Sequence, residues 1–124
     1  WLPPPAAAGG RNGGKMYDQI KNSITDKEAA DGPQTISLEG SEYMTRHQVT
    51  IEVPSKPSAG SLKIEMCQSG ANVFMEIEGS PVLLTGLSQD VSKILTIEAL
   101  VGRLRFTPTQ TLDTAYSVYV HSVR

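Results

Sequence analysis

The chain has 124 residues, 39% hydrophobic and 19% charged, with a net charge of −2 at pH 7 and a pI near 5.6. That length supports one core, because two would each be too small to be stable. The acidic balance argues against a dedicated phosphate-backbone binder, which carries a basic face and a pI above about 9. The single cysteine, Cys67, cannot form an intrachain disulfide and fits assembly in a reducing cytoplasm. No apolar run approaches the roughly 18–20 residues that span a bilayer. The N-terminal residues lack the charged-then-apolar order of a signal peptide.

Residues 1 to 15, WLPPPAAAGGRNGGK, carry no strand or helix period. Pro3, Pro4 and Pro5 favour an extended polyproline conformation, and the glycine pairs at 9–10 and 13–14 act as joints. A plain spacer would be polar, whereas this one opens with Trp1 and Leu2, which bury large apolar areas. An arm ordered by a neighbouring molecule accounts for them. A tag remnant or disordered tail, or an arm folded back on its own body, are the alternatives. Residues 16 to 33 then place Met16, Ile20 and Ile24 at four-residue spacing with Tyr17 beside them, before Asp31-Gly32-Pro33 breaks the chain. This narrow stripe fits a short helix or an edge strand.

From residue 34 the apolar period is two. Ile36 and Leu38, then Val49, Ile51 and Val53, then Leu62, Ile64 and Met66 alternate with polar residues. VFMEIE, residues 73 to 78, reads as the next strand, with Val73, Met75 and Ile77 on one face and Phe74, Glu76 and Glu78 on the other. A short apolar run at Val82–Leu84 follows. Leu95, Ile97 and Ala99 point inward from the next segment, and Leu104 and Phe106 from RLRF. Tyr116, Val118 and Val120 share the inward face of the last. Seven or eight short strands with turns every 8 to 12 residues predict an all-β antiparallel sandwich, jelly-roll or immunoglobulin-like, over residues 34–124. Residues 1–33 form an N-terminal arm.

Catalytic chemistry finds no footing in this pattern. His47 and His121 are expected to face solvent, and Cys67 to be a half-buried structural thiol. Glu39, Glu52, Glu65, Glu76 and Glu78 are scattered as on solvated faces. No nucleophile motif, metal-ligand cluster or cofactor signature emerges. GGRNGGK lacks both the spacing and the preceding strand of a phosphate loop. Arg103 and Arg105 flank Leu104 and fit a salt-bridge ladder with a glutamate-bearing neighbour, or contact with a phosphate or a partner's acid.

Two stretches, PSAGSLKIEMCQSGANVFMEIEGSPVLLTG and ILTIEALVGRLRFTPTQTLDTAYSVYVHSV, together resemble the back half of small β-sandwich virion proteins of tailed bacteriophages. The resemblance spans residues 57 to 123. It implies a structural protein, such as a capsid decoration or cement subunit or a head-fibre base, located in the virion and assembled in host cytoplasm. The partners it implies are the major capsid protein or other virion proteins, with a homo-oligomer, a trimer by analogy, and neither membrane nor specific nucleic acid. It carries over no catalytic residue, metal or cofactor. Trp1, Leu2, Pro3, Pro4, Pro5, Tyr17, Ile20, Arg103 and Arg105 are the expected partner-binding residues. The alternative is a receptor- or carbohydrate-binding module of a fibre, neck or tail, for which Trp1, Tyr43 and Tyr119 are the aromatic candidates.

Overall fold

A computed structural model describes residues 19–38 and 44–124 of the chain. Among the described residues nine strands run in order: β1 (Gln19–Lys27), β2 (Gln34–Ser37), β3 (Arg46–Glu52), β4 (Ser61–Cys67), β5 (Met75–Glu76), β6 (Val82–Leu83), β7 (Lys93–Glu98), β8 (Arg103–Pro108) and β9 (Tyr116–Val123). The first sheet has the order β1-β9-β3-β7. The second has the order β2-β8-β4-β5, with β6 also pairing β4. All these pairs are antiparallel. With β5 and β6 taken as one interrupted edge strand, this is the strand order of an eight-stranded jelly roll rather than an immunoglobulin-like sandwich.

The two-residue period sets the core. In the first sheet the inward rows are Ile24–Val118–Ile51 and Asn22–Val120–Val49–Leu95. They face Ile36–Leu104–Met66 and Phe106–Ile64 from the second. Val49, Ile51, Leu62, Ile64, Leu104, Phe106 and Val118 are fully buried. A slip of one residue in any of these strands would turn its apolar set to water, so the register is strongly specified.

Residues 19–27 take the edge-strand alternative, paired to β9, rather than a helix. A bulge between Ile24 and Lys27 puts Asp26 at φ 54°, a left-handed conformation that aspartate tolerates, and its N–H donates to Ser117 Oγ at 3.1 Å. The β1–β2 connection closes with a 3-10 turn at Ala29–Asp31. There the Asp31 carboxylate accepts from the Glu28 N–H at 2.7 Å.

Two expectations are corrected. The strand read over residues 73–78 shortens to Met75–Glu76, with Val73 and Met75 left exposed. Before Met75 the chain is drawn away, with Phe74 over the guanidinium groups of Arg103 and Arg105, and beyond Glu76 the ladder is interrupted by Ser80, whose hydroxyl accepts from the Ile64 N–H at 2.8 Å while donating to Glu76 Oε2 at 2.7 Å. His47, expected in solvent, is fully buried in the row Ile20–Ser122–His47–Ile97. Its Nε2 lies 3.1 Å from the Ala99 carbonyl and its Nδ1 2.7 Å from Ser122 Oγ. A carbonyl only accepts, so these partners assign the proton of the neutral ring to Nε2, and Ser122 donates to Nδ1.

Burial holds the His47 pKa below 6.5, against the smaller opposing effect of hydrogen bonds to the backbone of Ala99 and Met44. The unfolded ring therefore binds a proton at a pH where the folded ring does not. Stability contributed by neutral His47 is complete above about pH 6.5 and is lost as pH falls, by up to about 1.4 kcal/mol per pH unit, until the folded ring protonates. Urea melts between pH 7.5 and 5 should show this slope in the native chain and lose it in His47→Gln. Tyr116 offers a second check. Its buried hydroxyl has no hydrogen-bond partner among the described residues, and burial, reinforced by the Asp31 carboxylate, pushes its pKa up to about 12. Removing an unpartnered buried hydroxyl relieves a desolvation cost, so Tyr116→Phe should be neutral or stabilising by about 1 kcal/mol in the same melts.

Candidate interaction surface

Exposed apolar side chains are not spread evenly. Among the described residues, seven large hydrophobics are exposed, and six of them fall between Val73 and Leu100: Val73, Met75, Leu83, Val91, Ile94 and Leu100. This segment supplies β5, β6 and β7, the edge strands on one side of the sandwich. Leu83 is 70% exposed and Ile94 55%. The row Ile94–Thr50–Tyr119 carries the apolar character onto the outward face of the first sheet, where Tyr119 is 40% exposed. These side chains do not share one face: Leu83 stands on the outward face of the second sheet and Ile94 on that of the first, while Met75 pairs with Met66 at the other end of β4.

The opposite side is built differently. β1 and β2 form its edges, joined by the 3-10 turn, and a shallow open groove there is lined by Glu28, Ala29, Gly32, Leu112 and Asp113. Asp113 is occupied structurally, accepting from the Ser58 N–H at 3.1 Å and from its hydroxyl, which lowers the carboxyl pKa. On the outward face of the first sheet, Lys21, Ser23, Gln48, Thr50 and His121 surround Tyr119 in a second open groove.

Around Arg103 and Arg105 the outward face of the second sheet is covered by its own β4–β5 connection, while Thr35 and Lys63 on the same face stay exposed. Residues 68–74 fold back over β8, and an added Cβ on Gly102 would lie 2.7 Å from Ser69 Cα, so only glycine permits the approach. Arg103 Nη2 donates to the Ala71 carbonyl at 2.8 Å and to Asn72 Oδ1 at 3.2 Å. Phe74 lies over both guanidinium groups, 4.0 Å from Arg105 and 5.2 Å from Arg103. Arg105 also makes the expected ion pair with Glu65, its neighbour on β4, at 3.0 Å. Beneath this cover Cys67 is buried, its thiol donating to the Ala71 carbonyl at 3.0 Å.

Among the sequence-derived candidates, Arg103 and Arg105 thus share one site within the chain, and Ile20 is half-buried on β1. Trp1, Leu2, Pro3, Pro4, Pro5, Tyr17 and Tyr43 lie outside the described residues. The sequence reading passed over Phe74; the signal available was an aromatic residue next to a strand with two arginines on one face. Among the described residues, no three His, Cys, Asp or Glu side chains gather to hold a metal ion. The His47 ring is taken up by Ser122 and Ala99.

No family model and no curated protein matches the chain. Solved structures do. The chain is similar to the SPBc2 prophage-derived protein YomS, with a TM-score of 0.51 and 14% identity, covering 86% of this chain and 95% of that one. It is also similar to a chain of the disulfide-linked pili formed by Bacillus endospore appendages, with a TM-score of 0.48, 12% identity and coverage of 86% and 85%. The C-terminal domain of A223, a structural protein of Sulfolobus turreted icosahedral virus, matches with a TM-score of 0.38, 9% identity and coverage of 86% and 95%. At these identities the likeness is one of fold.

The Phe74 cover is testable through the thiol below it. A stacked cation–π contact contributes about 1–2 kcal/mol, and residues 68–74 open locally if it is lost. Phe74→Ala should raise the rate at which Cys67 reacts with a thiol reagent under native conditions by roughly tenfold, with the overall melt little changed. An unchanged rate would mean that the arginine hydrogen bonds alone hold the cover.

Proposed function

We propose that this chain is a non-enzymatic structural protein of a bacteriophage particle, held on the capsid shell through its N-terminal arm and sheet edges. The observation that carries this reading is the exposed apolar residues of the edge segment that supplies β5, β6 and β7, with Leu83 open to solvent on the outward face of the second sheet and Ile94 on that of the first. A body with such an edge is suited to standing next to another molecule. The jelly roll shared with a prophage-derived protein supports it, as does the resemblance over residues 57–123 to small phage virion proteins. The arm supports it as well. Ordering each of its residues costs about 1–2 kcal/mol of backbone entropy, so Trp1 and Leu2 have a purpose only where a partner buries them. Many copies on a symmetric shell then turn weak contacts into stable attachment. In this reading the partners are the major capsid protein and sister copies, the location is the virion after assembly in host cytoplasm, and no cofactor is involved.

A second reading, a sugar-binding module, is favoured by Tyr119, an exposed aromatic ring set among Ser23, Gln48, Thr50 and His121 on an open sheet face. One pair of measurements separates the two. Deleting residues 1–15 should leave a folded body by circular dichroism and abolish co-sedimentation with phage particles, while the full chain shows no signal on a glycan array. Particle binding that survives the deletion would refute the role of the arm. A glycan signal lost in Tyr119→Ala would establish the second reading instead.

A further inference from the structure

We propose that β7 of one copy pairs antiparallel with β7 of a second copy, joining their first sheets across a two-fold axis. This rests on the structural reading above and deepens it by naming how sister copies meet. The contact is made by the backbone first and by side chains second.

Every other edge strand among the described residues carries a device against strand addition, and β7 carries none. β1 is bent by its bulge and holds Lys21, Asp26 and Lys27. β2 is four residues long, and β5 and β6 are two each, with Pro81 before β6. Bulges, charges, proline and short length are the ordinary ways of blunting an edge. β7 runs for six residues in unbroken register with β3 and contains neither proline nor glycine. Its two charges, Lys93 and Glu98, stand at its ends and cancel. Between them lies Ile94-Leu95-Thr96-Ile97, uncharged and mostly β-branched, a composition that pairs readily when exposed. Residues of a strand direct their N–H and C=O groups alternately to one side and the other. β3 is the one strand that pairs β7, and no backbone group of residues 93–98 bonds to backbone elsewhere among the described residues. Half of these groups therefore face outward without a backbone partner. Lys93, Ile94, Thr96 and Glu98 are exposed, and Leu95 is half-buried.

The strand is its own complement. A two-fold axis along the sheet normal keeps outward residues on the outward face, so it passes through a residue, and Leu95 or Thr96 centres the overlap. Through Leu95, Leu95 meets itself, Ile94 meets Thr96 and Lys93 meets Ile97. Through Thr96, Thr96 meets itself, Leu95 meets Ile97, Ile94 meets Glu98 and Lys93 meets Ala99. Like charges oppose each other in neither register. A parallel in-register stack would set Lys93 on Lys93 and Glu98 on Glu98, which is unfavourable directly across a ladder. Charge thus selects the antiparallel pair, and that pair is closed, because it uses up both β7 edges and leaves bulged β1 at either end of the joined sheet. The chain's own N-terminal segment is a poor rival for this edge. Pro3, Pro4 and Pro5 have no N–H to give a ladder, and Gly9, Gly10, Gly13 and Gly14 follow.

Sedimentation velocity of the full chain should show a monomer–dimer equilibrium. Hydrogen exchange at residues 93–98 should slow as concentration rises, while that of β1 stays constant. The double variant Ile94→Glu/Thr96→Glu changes two exposed positions and should keep the circular dichroism of the native body. It sets glutamate against glutamate in either register, so it should remain monomeric at concentrations roughly tenfold above the native dissociation constant. Leu95→Cys and Thr96→Cys each place a thiol on one candidate axis. One of the two should give a disulfide-linked dimer on mild oxidation, whereas Ser23→Cys on β1 should not. A native chain that is monomeric at every concentration, exchange at residues 93–98 that ignores concentration, a dimer that survives in the double variant, or cross-linking at neither β7 position would each overturn the proposal. Co-sedimentation with phage particles keeps the two readings apart. A monomeric native chain that binds particles sinks only this contact, and a dimer absent from particles sinks the structural reading while the contact stands.

Discussion

A sheet of four strands ends in two rows of unpaired N–H and C=O groups, and this chain has two such sheets. Barrels remove the problem by closure, whereas a jelly roll leaves its edges to be managed. Here the two sides are managed in opposite ways. Along β1 and β2 the side is bent by the bulge at Asp26 and capped by the 3-10 turn, with polar side chains outward. Along β5, β6 and β7 the ladders are short, two residues each for β5 and β6, and the side chains left outside are apolar. Short, interrupted strands deter indiscriminate strand addition, while exposed Leu83 and Ile94 still offer area to a partner. The sandwich is thus asymmetric, with a bent and polar side at β1 and β2 and a side of short strands with exposed apolar residues at β5, β6 and β7.

The second sheet follows the same economy on its outward face. Arg103 and Arg105 stand side by side on β8, and leaving both in solvent would serve neither packing nor fold. Phe74 and the Ala71 carbonyl gather them, and the result is a covered face in place of a charged one. The cover also seals Cys67 in a site where its thiol is hydrogen bonded and shielded. Polar groups that look available in the sequence are thereby committed inside the molecule.

Alternation made the central strands legible in the sequence. β3, β4, β8 and β9 have neighbours on both sides, so their inward positions are mostly buried and mostly apolar; Val49, Ile51, Leu62, Ile64, Leu104 and Val118 follow this. The same rule misleads at the edge. Val73, Met75 and Ile77 alternate as well as any central strand, yet past the last strand no second sheet covers them fully, and the pattern cannot say so. His47 misleads for the opposite reason. Its polarity suggests solvent, but Ser122 directly across from it on β9 and the Ala99 carbonyl satisfy both ring nitrogens, so burial costs no lost hydrogen bond. Whether strands order as a jelly roll or an immunoglobulin sandwich depends on pairings between residues 50 to 100 positions apart, such as Asn22 with Val120, which local period does not encode.

Charge does not divide the body in the way apolarity does. The β1–β2 side carries Asp26, Glu28 and Asp31 against Lys21 and Lys27, and residues 73–100 carry Glu76, Glu78, Asp90 and Glu98 against Lys93, so both sides are acidic. Exposed charges of this kind are screened over roughly 8 Å at physiological salt and hold little energy in pairs. What separates the two sides is apolar surface left in water, with Leu83 on the outward face of the second sheet and Ile94 on that of the first, and it is burial of such side chains that carries energy in any contact a sandwich of this kind makes.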